Sequence, residues 1–191
     1  MRIVVAIAVC CFTTIPLWAD TVAIIDRSPV TKDKSARTEI WDTLATTIRG
    51  LDSLTVISPG AVDSIVHTHS LNLDMTSPSE LEAVLGAAKL LNVSIRTTPG
   101  TVNYRNHRMV KQPGRFTIGA RLYDAAAHRP VAEFVDSCRD DGVSPLLLAK
   151  VMIWSLAPQL TPTVAPQRAV EVRDSMQAVL DVIIKKTDDE K

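Results

Sequence analysis

The segment Ser77 to Tyr104, SPSELEAVLGAAKLLNVSIRTTPGTVNY, changes its apolar period midway, and that change sets the fold class. Ser77-Pro78-Ser79-Glu80 is a helix start of the capping-box kind, with the serine oxygen satisfying a backbone N–H near Glu80. Leu81, Val84, Leu85, Ala88 and Leu91 then form a helical stripe. Val93, Ile95 and Thr97 alternate with Ser94 and Arg96, the pattern of a strand with one buried face. A helix feeding straight into a strand gives that strand a helix to lie against, so the chain is an α/β layer.

The flanking segments extend this plan. Thr21 to Asp26, TVAIID, reads as a buried central strand. Ser35 caps a helix with Ala36, Ile40, Leu44 and Ile48 on one face, widened by Trp41 and Ala45 and ended by Gly50. Leu54 to Ile57 is a second strand, parallel to the first through the helix between them. Ser58-Pro59 opens a helix carrying Val62, Ile65 and Val66, which dissolves by His67. Beyond the strand at Val93, Pro99-Gly100 predicts a bulge or an edge, the strand resumes at Thr101 to Tyr104, and Arg105 to Gly114 is a polar hairpin connection.

Phe116, Ile118, Ala120 and Leu122 mark one face of the next strand, and Pro130 to Cys138 completes a three-stranded meander. Ser144-Pro145 caps a helix, LLLAKVMIWSLA, apolar nearly all round and too short to span a bilayer. Thr161 to Gln167 reads as a semi-rigid linker with Pro162 and Pro166. A final helix, Arg168 to Lys185, bears Val172, Met176, Val179, Leu180 and Ile183. The expected architecture is α/β, a mixed sheet of about five strands in the order β-α-β-α-α-β-β-β-α, plus a carboxyl-terminal amphipathic helix. The organisation is residues 1–19, a signal peptide; 20–160, the α/β domain; 161–167, the linker; and 168–191, the helix with a charged tail.

Residues 1–19 resemble an export signal. Arg2 supplies the positive end, Ile3 to Phe12 the apolar centre, and Pro16 breaks the segment ahead of Ala19. The unbroken apolar run is about 10 residues against the ~20 that span a bilayer, so cleavage is expected rather than a retained anchor. Val9 and Cys10 are poor residues to precede a lipidated cysteine, which argues against a lipid anchor on Cys10 or Cys11. Cleavage leaves Cys138 alone, without an internal disulfide, as a small buried apolar side chain. The chain has 191 residues, 46% of them apolar, with 21 acidic and 21 basic side chains. That suits one globular unit with a proper core and excludes broad electrostatic capture of nucleic acid.

Two phrases resemble a known family. In one, a helix bearing Leu85-Gly86 and Leu90-Leu91 runs into Asn92 to Arg96 and Gly100. In the other, Ala120-Arg121-Leu122-Tyr123-Asp124 turns into Pro130-Val131-Ala132. With the element order, they resemble the TolB amino-terminal domain and the related CsgG-like and penicillin-binding-protein-activator modules of bacterial envelopes, over residues 21–160. The resemblance implies that scaffold and protein binding in the envelope, with no catalytic residues. Asn92 stands where the family favours aspartate, and Arg105 to Gly114 is too short for the paired membrane-crossing hairpins of a CsgG pore.

The search for chemistry finds little. His67 and His69, with Asp63, His107 and His128 elsewhere, lack the spacing of a metal site. There is no G-x-S-x-G elbow, and Gly114 to Gly119 lacks the Lys-Ser/Thr of a phosphate loop. Asp140-Asp141 reads as a solvated turn. No cofactor is expected. Tyr104 to Arg115 instead carries Arg105, Arg108, Lys111 and Arg115 without an acid. The expected function is an exported, periplasmic, non-enzymatic module that binds another envelope protein, or anionic lipid or cell-wall polymer, and not nucleic acid. The expected contact residues are Arg105, Arg108 and Lys111 on the hairpin and Met176, Leu180 and Ile183 on the last helix. Two alternatives stand beside it: an exported small-ligand or metal-dependent enzyme using the loop histidines, and an oligomeric structural or secretion-complex subunit.

Overall fold

A computed structural model describes residues 21–29, 35–52, 54–105, 108–125, 127 and 129–189, so the predicted signal segment lies outside the described residues. Side chains 35, 36, 103–105, 108–111 and 186–189 are likewise not described. The elements are β1 (Thr21–Asp26), α1 (Ser35–Leu51), β2 (Thr55–Ile57), α2 (Pro59–Thr68), α3 (Pro78–Leu85), β3 (Lys89–Thr98), β4 (Thr101–Arg105), β5 (Arg108–Gln112), β6 (Arg115–Asp124), β7 (Arg129–Arg139), α4 (Ser144–Leu160) and α5 (Pro166–Asp189). Five strands form a mixed sheet in the order β2-β1-β3-β6-β7, and β4 and β5 form a separate two-stranded ribbon. β1 is parallel to both β2 and β3, and β3, β6 and β7 are the expected antiparallel meander.

The period-2 alternation decides which face each strand residue serves. Leu91, Val93 and Ile95 on β3 and Phe116, Ile118, Ala120 and Leu122 on β6 meet Ile40, Leu44 and Ile48 of α1 and Leu148, Met152 and Leu156 of α4. Ala23, Ile25 and Leu90 point the other way and meet Val62 and Val66 of α2 and Leu81 and Leu85 of α3. β1 is therefore buried on both faces, which is why its sequence is a continuous apolar run.

The helix start at Ser77 is present: its hydroxyl accepts from the Glu80 N–H at 3.3 Å. The helix stops earlier than the stripe suggests. Gly86 adopts a left-handed conformation (φ 60°) as the cap, and β3 begins at Lys89, so Ala88 is outside the helix and Leu91 is a strand residue. Leu90 and Leu91 fill opposite cores, which only a strand allows. Other boundaries also move. α1 runs through Gly50 to Leu51, and His67 lies within α2. The sheet's irregularity falls between Leu122 and Tyr123 on β6, opposite the segment that starts with Pro130, and not at Pro99-Gly100.

α4 is capped by a residue the sequence reading assigned to solvent. One Asp141 carboxylate oxygen accepts from the Ser144 N–H at 2.7 Å and the Val143 N–H at 3.1 Å, and the other from the Ser144 hydroxyl at 2.7 Å. Those amides lack intrahelical partners at a helix start, so Asp141 supplies what Ser144-Pro145 was expected to supply.

The segment read as a linker is pinned. Asp52 accepts from the hydroxyls of Thr161 at 3.2 Å and Thr163 at 2.9 Å, and Thr161 and Val164 are buried. Pro166 is the first residue of α5, the position where a missing N–H costs nothing. α5 packs on α4 through Ala169 and Leu180, with Ile184 against the main core. No helix among the described residues is long and apolar enough to cross a membrane.

Candidate functional site

The polar connection predicted between Arg105 and Gly114 is mostly a strand. β4 and β5 pair antiparallel, Thr101 opposite Gln112, Val102 opposite Lys111, Tyr104 opposite Met109 and Arg105 opposite Arg108. Among the described residues, the ribbon's extensive contacts are only between its own two strands.

It leaves the main sheet through a neck made of two glycines. A β-carbon on Gly100 would lie 2.6 Å from the Gln112 carbonyl oxygen and 3.0 Å from the Gly114 nitrogen. One on Gly114 would lie 3.1 Å from the Thr98 carbonyl oxygen. The two backbones cross where side chains would have held them apart. Pro99-Gly100 thus marks a departure from the sheet.

Charge is distributed unevenly along the chain that forms this neck, although Asp140 from beyond β7 lies against Gly114. From Ala83 to Tyr123 the chain has no acid and seven bases, Lys89, Arg96, Arg105, Arg108, Lys111, Arg115 and Arg121, which leaves 14 of the 21 bases for the rest of the chain against all 21 acids. On the main sheet two of these bases are ion-paired: Lys89 with Asp124 at 2.8 Å and Arg121 with Glu133 at 3.0 Å. Arg115 donates to the Ser137 hydroxyl at 2.9 and 2.6 Å. Arg105 belongs to β4, and Arg108 and Lys111 to β5. Counting acids over a window of about 40 residues would have shown this field from the sequence; inspecting only the hairpin did not.

The predicted contact residues on α5 divide. Leu180 is 1% exposed and belongs to the core, so on α5 as packed it is not a surface a partner can reach. Met176 is half-buried and lines a groove of about 460 Å³ with Leu147, Glu171, Val172, Ser175 and Val179. Ile183 is half-buried on the same helix.

Sequence reasoning missed an uncovered part of the sheet. α2 and α3 cover β1 and the start of β3, leaving the back of β6 and β7 open as a shallow depression of about 450 Å³. Asn92, Ser94, Gly119, Arg121, Glu133 and Val135 line it. Val135 is 76% exposed. Gly119 keeps the floor low, since a β-carbon there would stand 3.1 Å from the Ser94 hydroxyl oxygen.

The residues proposed for chemistry are spread apart or structurally committed. His67 and His69 are exposed at the end of α2, and His107 and His128 lie outside the described residues. No group of three or more His, Cys, Asp or Glu able to hold a metal ion occurs among the described residues. Asp63 lies along α2 from His67, and burial together with the nearby Asp26 carboxylate raises its pKa. The more enclosed crevice, about 120 Å³ between Ile40, Ile95, Phe116 and Leu146, contains neither histidine. It is well below the ~300 Å³ at which small-molecule pockets begin.

Cys138 is buried, and its thiol is pushed up to about 12, first by burial and then by Asp141, Asp136 and Asp140. A thiol held protonated in the fold and free to ionise when unfolded stabilises the native state below its ordinary value near 9. That stabilisation is lost as pH rises from 9 towards 12. The expected result is no alkylation of the native chain at pH 7 to 8 and full alkylation in denaturant, read by intact mass.

No protein-family model matches the chain, and no curated protein is significantly similar to it. Solved structures that align with it include lipoprotein GNA1162 from Neisseria meningitidis, at 17% identity over 73% of this chain and 96% of that one, with a TM-score of 0.43. The LpoB C-terminal domain from Salmonella enterica aligns at 10% identity over 64% of this chain and 84% of that one, with a TM-score of 0.40. TolB from Acinetobacter baumannii aligns at 14% identity over 74% of this chain and 29% of that one, with a TM-score of 0.42. At these identities and TM-scores the likeness is one of coarse fold.

Proposed function

We propose that this chain is an exported, non-enzymatic protein-binding module of the bacterial cell envelope, and that the β4–β5 ribbon is its binding face. The observation that carries the reading is the ribbon itself: a hairpin beyond the sheet, in the middle of 41 residues (83–123) with seven bases and no acid, on a chain of zero net charge. A basic segment of this kind favours acidic surfaces and speeds encounter with them. The export-type first 19 residues direct the search to the envelope. Four of the described acids supply structure: Asp141 caps α4, Asp52 pins the turn into α5, and Asp124 and Glu133 pair with bases on the sheet.

The partner is therefore an acidic face of another envelope protein. Capture from intact envelopes should fall at least about tenfold when Arg105, Arg108 and Lys111 are all changed to Glu, and should weaken as salt rises. Unchanged capture by the reversed ribbon removes the ribbon as the binding face. Binding instead to anionic vesicles or to purified cell-wall polymer moves the partner to those anions. No capture in any arm contradicts the module reading.

A further inference from the structure

The uncovered back of the meander ends in a cluster of arginines and hydroxyls. Cross-strand partners share a face, and alternation carries the face of Ser94, Gly119 and Val135 on towards the neck. The last two rows on that face are Arg96–Thr117–Ser137 and Thr98–Arg115–Arg139. Three of these six residues are arginine, the other three carry hydroxyls, and none is an acid. Every side chain in the two rows can donate a hydrogen bond. Arg96, Thr98 and Arg115 are exposed. Neither Arg96 nor Arg115 forms an ion pair among the described residues. The two are diagonal neighbours across β3 and β6, about 7–8 Å apart, which long side chains can close. Arg115 is also directly opposite Arg139, a like-charge pairing that costs stability in a sheet and that an anion beside it offsets.

The Ser137 hydroxyl shows what the cluster presents. Its oxygen accepts from Arg115 Nε and Nη2 at 2.9 and 2.6 Å, so both acceptor positions are used and its hydrogen is left to donate. The acids nearest in sequence lie off these rows. Asp136 is on the other face by alternation, its carboxylate accepting from the Ser137 N–H at 2.7 Å, and Asp140 lies beyond β7 against Gly114.

We propose that these two rows form a binding site for a phosphate group. Arg96 and Arg115 grip its oxygens, the hydroxyls of Thr117 and Ser137 donate between them, and Arg139 adds charge. The donor set selects phosphate over carboxylate. A phosphate monoester carries about −1.5 to −2 charge at pH 7 and three strong acceptor oxygens, where a carboxylate has a single charge and two oxygens. Three arginines with hydroxyls between them match the larger demand. Arg115, Ser137 and Arg139 also border a cleft of about 280 Å³. That is below the ~300 Å³ at which pockets for whole small molecules begin, so it suits a single group. The site is on the main sheet and does not depend on the ribbon's bases.

The test is titration of the nitrogen-15-labelled full chain with inorganic phosphate at constant ionic strength, read by NMR. Saturable shifts are expected at the Thr117 and Ser137 amides and at Nε–H of Arg96 and Arg115, with a Kd of about 1 mM or tighter. Arg96→Gln and Arg115→Gln should each weaken binding at least about tenfold, the loss of a charge-assisted contact. Arg115→Lys keeps the charge without the planar fork and should weaken it at least about threefold, which a merely positive surface would not do. Both arginines are exposed, so these variants should melt within about 2 °C of the parent. Arg121→Gln, on the same face but paired with Glu133, should stay within about threefold, as should a chain with Arg105, Arg108 and Lys111 changed to Gln. Phosphatidylglycerol vesicles that displace inorganic phosphate place the group on a lipid head group; vesicles that do not compete place it on a soluble or polymer-borne phosphate. No saturable shift up to about 20 mM, or Gln variants that bind as the parent does, overturns the site. Tighter binding of a tetraglutamate peptide at the same amides assigns the face to carboxylates and overturns the phosphate reading.

Discussion

Leu180→Ala should lower the stability of the whole chain by about 2–5 kcal/mol, the cost of a cavity where a buried leucine stood. For a chain of this size each kcal/mol moves the melting temperature by roughly 2–4 °C, so a fall of about 10 °C is expected in a thermal melt. The reason is position. Leu180 is 1% exposed and sits in the same core cluster as the β3 and β6 side chains and α4. Val182, two residues on and 65% exposed, is the control, and its alanine variant should change stability by no more than about 0.5 kcal/mol. If α5 were an independent helix held ready for a partner groove, Leu180→Ala would cost as little as Val182→Ala. Equal melts for the two variants would show that α5 is not packed as described.

Gly100→Val should open the ribbon's neck. The added β-carbon meets backbone, the Gln112 carbonyl oxygen at 2.6 Å and the Gly114 nitrogen at 3.0 Å, and backbone cannot rotate away as a side-chain tip can. Relief requires the two chains to separate, which strains the adjoining pair Thr98 and Arg115 at the end of the β3–β6 ladder. The expected cost is about 1–3 kcal/mol, as for overpacking of a tight site. Amide exchange should show where it falls. Protection should drop in Thr101–Gln112 and at the ends of β3 and β6, while β1 keeps its protection. A variant with unchanged melt and unchanged ribbon exchange would mean that the chains do not cross closely at Gly100.

What could be read from the sequence followed from strong local signals. Ser77 capping Glu80, the buried run of β1 and the alternation of β6 each have one physical solution, and the five-stranded mixed sheet follows from them. The errors arose where one pattern satisfies two structures. Val84 to Leu91 fits a helical stripe or a helix ending in a strand, and the decision rests on Gly86 adopting φ 60°. Arg108 to Gln112, expected as a connection, lacks the apolar alternation of a core strand, because it pairs with β4 and not with the main sheet. Thr161 to Gln167 has the composition of a linker, and nothing local reveals that Asp52, more than 100 residues earlier, holds two of its threonines. Asp141 was misread for a similar reason: an acid in a turn looks solvated until the helix it caps is placed after it.

The candidate site was legible in part. The bases at 105, 108 and 111 were evident as a cluster, while their setting on a separate two-stranded ribbon depended on pairing that only the fold supplies. On α5, the apolar residues could be named but not sorted. Leu180 turns inward to the core while Val179, its neighbour, turns outward, a difference set by where α4 lies. The back of β6 and β7 was invisible from sequence, because which strands the two middle helices fail to cover is a property of the whole arrangement.

The most direct test of the central claim is photocrosslinking in living cells from a benzophenone side chain placed at position 108 on the ribbon, beside the same probe at exposed Asp42 on α1. The account predicts one discrete crosslinked envelope protein from position 108, none at Asp42, and loss of that band when Arg105 and Lys111 are changed to Glu. Equal yields from the two positions, or a band at 108 that survives the charge reversal, would contradict it.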